Sequence, residues 1–283
     1  VGNLLAAVVS AEAADSGESK SYIERMFSSD GFHAPSITDF FPPALFGDGT
    51  IFEFNRIMMV RLIAAIALIV VFAIVAQRAK VVPGRFQASI EFLLDFVKNQ
   101  IVEPVMGHEG KRFLPILTTI FLAIVFFNIT GVIPFLNIAS TSLIGLPIIM
   151  ALWVYVLYLA HGVKKHGLGG YLKNSLFPPG VPKAIYLLLT PIEFLQVFIL
   201  RPATLALRLA ANMIAGHLLL VLCFSATQYF FFAASGAMKA TGAVTFAAGF
   251  AFTLFEVFVA LLQAYVFTML AAVYLNMALE EEH

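Results

Sequence analysis

From residue 57 onward the chain is a succession of long apolar stretches separated by short clusters of basic residues. Ile57 to Ala76 is interrupted only by Arg61, and its length of about 20 residues matches a hydrocarbon core about 30 Å thick. Between Leu114 and Val163 there is no Asp, Glu, Lys or Arg, which leaves room for two spans, about 113–135 and 143–162, hinged at Asn137-Ile138-Ala139-Ser140. The later runs Pro202 to Phe232 and Ala243 to Leu279 hold 31 and 37 residues. Both exceed what a perpendicular helix needs, so strong tilt or partial re-entry is expected. Over about 83–104, Phe86, Ile90, Leu93, Leu94, Val97 and Ile101 recur at helical spacing among Arg85, Glu91, Asp95 and Lys98, which predicts an amphipathic helix on the cytoplasmic surface. A short apolar helix is expected at about 184–200, preceded by a Gly- and Pro-rich loop from His166 to Lys183.

The two ends are different in kind. Residues 1–55 are expected to be an extracytoplasmic tail and interfacial loop: Leu4 to Ala11 resembles the apolar part of a signal peptide without a preceding basic residue, and Glu12, Asp15 and Glu18 suit a mobile tail. Pro, Gly and aromatic residues then punctuate Phe32 to Phe54. Residues 56–279 form the membrane domain, and Glu280 to His283 a short cytoplasmic tail. The fold class is all-α, a polytopic membrane protein with about five to six membrane helices.

Composition agrees with that class and narrows the function. Of the 283 residues, 60% are hydrophobic and 12% charged, and the mean hydropathy is +0.92. With 17 Lys and Arg against 17 Asp and Glu, no net charge points to nucleic acid. Their placement sets the topology: Arg78, Lys80 and Arg85 follow the first span, while Lys111-Arg112 and Lys164-Lys165 flank the next two, which puts those ends in the cytoplasm and the N-terminus outside. The connector Ser235 to Lys239 would lie outside and the C-terminus inside. Cys223, the single cysteine, is expected to be a small buried hydrophobe. No phosphate loop, metal-ligand spacing or nucleophile elbow is present, so neither metal nor other cofactor is expected, nor catalysis by this chain alone.

Against this background a few polar residues stand out, because a charge at the middle of a bilayer costs about 2.5–3.5 kcal/mol on insertion scales. Thr204, Arg208, Asn212 and Gly216 are spaced by four and share one helical stripe, whereas His217 points to roughly the opposite side. Ala210, Ala211, Ala215 and Gly216 are small enough for a neighbouring helix or subunit to approach the backbone. Glu256 and Gln263 lie seven apart on the last helix, and Asn128 sits in Phe126-Phe127-Asn128-Ile129-Thr130-Gly131. A proton relay through such groups is one reading. Structural alternatives stand beside it: an Arg208–Glu256 ion pair, His217 and Asn128 as interhelical hydrogen-bonding groups, and Arg201 snorkelling to the interface.

The segment Arg208-Leu209-Ala210-Ala211-Asn212-Met213-Ile214-Ala215-Gly216-His217, with Glu256, Leu261-Leu262-Gln263-Ala264-Tyr265-Val266-Phe267 and Phe127-Asn128-Ile129-Thr130-Gly131-Val132-Ile133-Pro134, resembles subunit a of the F-type ATP synthase of bacteria. The resemblance covers about 52–279. It implies that Arg208 is the essential residue and faces the rotating c-ring, against which the last two helices form a tilted hairpin. It implies a proton pathway through His217, Glu256, Asn212, Gln263 and Asn128, and a cytoplasmic half-channel near Thr204 and Arg201. His217 and Glu256 show the pairing of mitochondrial members, reversed from the other arrangement in the family. Many bacterial members carry an aspartate where this chain has Gly131, so the outer channel would rest on Asn128 or on water. The implied function is that of a proton-translocating stator subunit of the Fo sector, with two half-channels that load and unload c-ring carboxylates. The implied partners are the c-ring, the subunit b stalk, lipid and protons, in a bacterial, actinobacterial plasma membrane. The rival readings are a secondary transporter that binds an anionic solute at Arg208, disfavoured by the absence of two repeated halves, and a purely structural membrane subunit. Coupling to H⁺ or Na⁺ is left open.

Overall fold

The computed structural model describes residues 44–46, 54–78, 80, 82–133, 140–177, 185–233, 236 and 238–279. The expected tail, most of the interfacial loop, the hinge residues Asn137 to Ala139 and the last four residues lie outside them. Among the described residues the fold is all-α apart from one short antiparallel pair, β1 (Ala44–Phe46) and β2 (Phe54–Asn55), with Ala44 opposite Asn55 and Phe46 opposite Phe54. The helices are α1 (Arg56–Gln77), α2 (Arg85–Val97), α3 (Glu103–Met106), α4 (Leu114–Ile129), α5 (Gly145–Leu176), α6 (Tyr186–Leu195), α7 (Arg201–Gln228) and α8 (Met238–Leu279). The chain divides into two compact units, Val1–Arg56 with Ala215–Phe255, and Ile57–Ile214 with Glu256–His283.

Among the described residues, four helical stretches are long and apolar enough to cross a membrane: Arg56–Gln77, Gly145–Lys173, Tyr186–Phe232 and Met238–Leu279. Most of their outward side chains are themselves apolar. On α1, Leu62, Ile63, Ile66, Ile69, Val70 and Ile74 are exposed and only Ile57, Val60 and Ala64 are buried, as suits a helix whose solvent is hydrocarbon. The helix in the 113–135 region is shorter than a full span: α4 has 16 residues, about 24 Å at 1.5 Å per residue. It is packed inside its unit, with Leu117, Thr118 and Ile120 to Ile124 all buried.

Three local expectations are corrected. The segment from His166 to Lys183 is not wholly a loop, because α5 runs on to Leu176; Gly167, at φ 73° and ψ 162°, breaks the helical path in a conformation that suits glycine, and the helix resumes after it. The expected helices at about 184–200 and 202–232 are not separate. A π-helical turn, Gln196–Leu200, joins α6 to α7, and a second, Tyr229–Ala233, follows α7. Met238 and Lys239, expected in a connector, are the first turn of α8. The amphipathic stretch is α2 prolonged by a π-helical turn, Lys98–Val102, and by α3; of its predicted apolar face, Ile90, Val97 and Ile101 are buried but Phe86 is exposed.

In the larger unit, Val97, Ile101, Phe113, Leu117, Phe121, Val154, Tyr158, Leu205, Leu209, Phe267 and Leu275 belong to one core. Lys165 Nζ donates to the carbonyl of Leu279, satisfying an orphan group at the C-terminal end of α8 with a cation placed where the helix dipole favours one. Gly162 gives a test of this packing. A Cβ there would lie 2.5 Å from Tyr171 Cε2 and 3.3 Å from the Ala278 carbonyl oxygen, and Tyr171 is buried. Gly162→Ala should cost about 1–3 kcal/mol by overpacking and lower the amount of protein in the membrane, measured by immunoblot; an unchanged amount would contradict the packing. In the smaller unit, Thr227 Oγ1 donates to Thr245 Oγ1 at 3.0 Å, and Gly249 leaves room for Phe224 and Cys223. Cys223 is half-buried there, not fully buried as its apolar surroundings in sequence had implied.

Candidate functional site

The singled-out polar residues of helix α7 lie away from its buried side. Leu205, Ala206, Leu209, Ala210 and Met213 are buried, whereas Thr204, Arg208, Ala211 and Asn212 are exposed. The polar stripe thus lies on a face that the chain itself leaves open. Thr204 Oγ1 donates back to its own helix, to the carbonyls of Leu200 at 2.7 Å and Arg201 at 3.2 Å, which ties its hydroxyl down locally. Arg208 makes no hydrogen bond or ion pair among the described residues. The alternative of an Arg208–Glu256 ion pair is absent among them.

The larger unit brings two of the singled-out residues together. Asn212 Nδ2 donates to Gln263 Oε1 at 2.8 Å, joining α7 to α8 one helical turn beyond Arg208. Gln263 is 3% exposed and its Nε2 has no partner among the described residues. Glu256 is also 3% exposed, and neither of its carboxyl oxygens has a partner there. A buried carboxyl without hydrogen bonds carries a desolvation cost that packing alone does not repay. Thr268 Oγ1 on α8 and Thr118 Oγ1 on α4 are buried and without a partner among the described residues as well. His217 is half-buried in the smaller unit.

Asn128 is 1% exposed at the end of α4 and accepts at Oδ1 from Thr141 Oγ1 at 2.6 Å, while its Nδ2 is unpartnered among the described residues. Around it lies a polar nest absent from the expected site. Thr130 Oγ1 is 3.1 Å from Ser140 Oγ and donates to the Phe127 carbonyl. Arg61, on α1, donates through Nε to the Ser140 carbonyl at 2.9 Å and through Nη2 to the Leu143 carbonyl at 3.3 Å. Those bonds satisfy carbonyls just ahead of α5 and give a lone arginine in an apolar span its reason. The clustering of Thr130, Ser140, Thr141 and Ser142 within a stretch that has no charges was the available signal.

Arg201 is half-buried, with its guanidinium carbon 5.3 Å from the centre of the Tyr274 ring, within cation–π range. Tyr274 packs edge-on against Tyr158, and Tyr158 against Tyr155, at centroid separations of 6.0 and 5.4 Å. Spacing in the sequence singled out none of these tyrosines.

A family model described as ATP synthase A chain matches residues 57–276. The chain is 46% identical over 273 residues to ATP synthase subunit a of Rhodococcus erythropolis, covering 96% of this chain and 99% of that protein. It is 36% identical over 270 residues to ATP synthase subunit a of a Nocardioides species, covering 92% and 98%. It is 34% identical over 252 residues to ATP synthase subunit a of Pseudarthrobacter chlorophenolicus, covering 89% and 94%.

Proposed function

Because the chain belongs to the ATP synthase A chain family, we propose that this multi-pass membrane subunit of the synthase acts as the stator past which c-ring carboxylates are protonated and deprotonated. The observation that carries the reading is the open face of α7. Arg208 stands there without a partner in its own chain among the described residues, beside the bonded pair Asn212 and Gln263, while the Glu256 carboxyl is buried without a hydrogen bond.

The chemistry follows from the cost of charge in lipid. A protonated carboxyl on a c subunit can face hydrocarbon at far lower cost than a carboxylate. When it reaches the exposed guanidinium of Arg208, the ionised form is favoured and the proton leaves to the cytoplasmic side, near Thr204 and Arg201. Asn212 and Gln263, held together across two helices, keep the polar surface beside Arg208 in a fixed arrangement. Glu256 hands protons on from the outside, and Asn128 with its Thr141 partner lines the outer approach. His217 enters on the family resemblance alone, as an imidazole able to take up and release a proton. The fixed charge of Arg208 also keeps a bare proton from running directly between the two approaches. The N-terminus lies outside and the C-terminus in the cytoplasm, as the basic clusters direct. The lengths of α7 and α8 suit strong tilt along the ring: α8, with 42 residues, is about 63 Å long, twice the hydrocarbon thickness.

Cross-linking in the assembled synthase tests the face assignment. Cysteines placed at the exposed positions Leu207 and Ala211 should form disulfides with cysteines beside the c-subunit carboxylate. A cysteine at Leu209, which is 0% exposed, should not. Equal yields from all three positions would refute the ring-facing stripe.

A further inference from the structure

Ahead of α7 the backbone has an accounting problem. In an uninterrupted α-helix the ring of Pro202 would meet the carbonyl of Phe198, four residues back, and no N–H would be available to that carbonyl. The chain instead takes the π-helical turn Gln196–Leu200, in which the Arg201 N–H bonds to the Gln196 carbonyl, five residues back. In that register the Val197 carbonyl falls to residue 202, and residue 202 is proline, which has no N–H to give. Val197 is buried, so water is no ready substitute. The missing donor comes from another helix: Tyr158 Oη on α5 donates to the Val197 carbonyl at 2.9 Å. Tyr158 is 1% exposed, and its ring is held edge-on by Tyr155 and Tyr274.

We propose that Tyr158 is a positioning residue for Arg208, supplying to the π-helical turn the hydrogen bond that Pro202 withholds and so setting the face that α7 presents. A π-helical turn holds one residue more than an α-helical turn, so everything after it is rotated by about 100°. Arg208 lies about two turns beyond the junction at Arg201, within the rigid helix whose rotation the turn sets. The inference rests on the reading of Arg208 as the ring-facing residue. It adds to that reading the device that keeps the residue aimed.

The test compares Tyr158→Phe with replacement of Tyr158 by 4-aminophenylalanine, which keeps a hydrogen-bond donor on a ring of similar size. Inverted membrane vesicles carrying the whole synthase are assayed for ATP-driven proton pumping per amount of this subunit, with Arg208→Ala measured in parallel. Tyr158→Phe should pump about tenfold more slowly, the factor that goes with a buried carbonyl left unsatisfied, and the 4-aminophenylalanine variant should return to near the wild-type rate. In the cross-linking assay, Tyr158→Phe should shift yield from Leu207 and Ala211 toward Leu209, and the donor-bearing variant should restore the original pattern. Wild-type pumping by Tyr158→Phe overturns the inference. So does a 4-aminophenylalanine variant as slow as Tyr158→Phe, or one that fails to pump should Tyr158→Phe not reach the membrane. If Arg208→Ala pumps at the wild-type rate, the reading of Arg208 itself falls; if Arg208→Ala is inactive and Tyr158→Phe is normal, only the role of Tyr158 falls.

Discussion

Arg208→Ala should leave the subunit in the membrane and in the complex while lowering ATP-coupled proton pumping by at least about a hundredfold, on the scale that follows removal of a charge-stabilising group. The two halves of that expectation have separate grounds. Arg208 is exposed and makes no hydrogen bond or ion pair among the described residues, so truncation removes no packing and breaks no network. Neighbouring Leu205, Leu209 and Met213 keep α7 seated in the core. What is lost is the fixed positive charge on the open face, and with it the preference for an ionised carboxylate at that point of the ring. Arg208→Lys should recover part of the rate, since it keeps the charge but not the forked guanidinium. Vesicle acidification followed by a pH-sensitive dye, normalised to the immunoblotted subunit, is the measurement. Wild-type pumping by the alanine variant would sink the proposed function.

Glu256→Gln should lower pumping by about a hundredfold, the lower end of what a positioned proton-transfer group supplies. Gln has nearly the same volume and shape, so the buried site stays filled, but the amide cannot take up and release a proton. The carboxyl is 3% exposed and neither oxygen has a partner among the described residues, so no structural hydrogen bond there is lost in the exchange. A second variant separates the readings further. If the carboxyl served only the fold, Glu256→Leu would be neutral or stabilising and would pump normally, because an unpaired buried acid is a cost to stability. Undiminished pumping by Glu256→Gln would remove Glu256 from the pathway.

The spacing of Thr204, Arg208 and Asn212 made a stripe legible, since helical periodicity follows from covalent geometry. Which way the stripe faced was not legible in the spacing, and only the family resemblance implied it. In a soluble protein polar residues point outward, but hydrocarbon reverses the cost, and an intramembrane arginine ordinarily turns toward the protein interior or a water-filled cavity. The structure leaves Arg208 open. The sequence suggests two helices, at about 184–200 and 202–232, and Pro202 at their junction removes an N–H and clashes one turn back. The chain passes Pro202 without a loop, since a π-helical turn relieves the clash and Tyr158 meets the stranded carbonyl. The bond between Asn212 and Gln263 spans 51 positions, and no periodicity in one dimension carries that distance.

By itself the sequence determined that this is an all-α membrane protein, which polar residues its apolar helices carry, and, through the segment around Arg208, which family they resemble. Hydropathy, helical spacing and side-chain chemistry are local properties, and each is written in consecutive residues. Only the tertiary structure decided that Arg208 is open, that Asn212 bonds to Gln263, that Arg61 closes the carbonyls near Asn128, and that Tyr158 completes the turn ahead of α7. Those facts depend on which helices meet and on which side. In a chain apolar on nearly every face, that choice is made by packing and by the few hydrogen bonds that buried polar groups require.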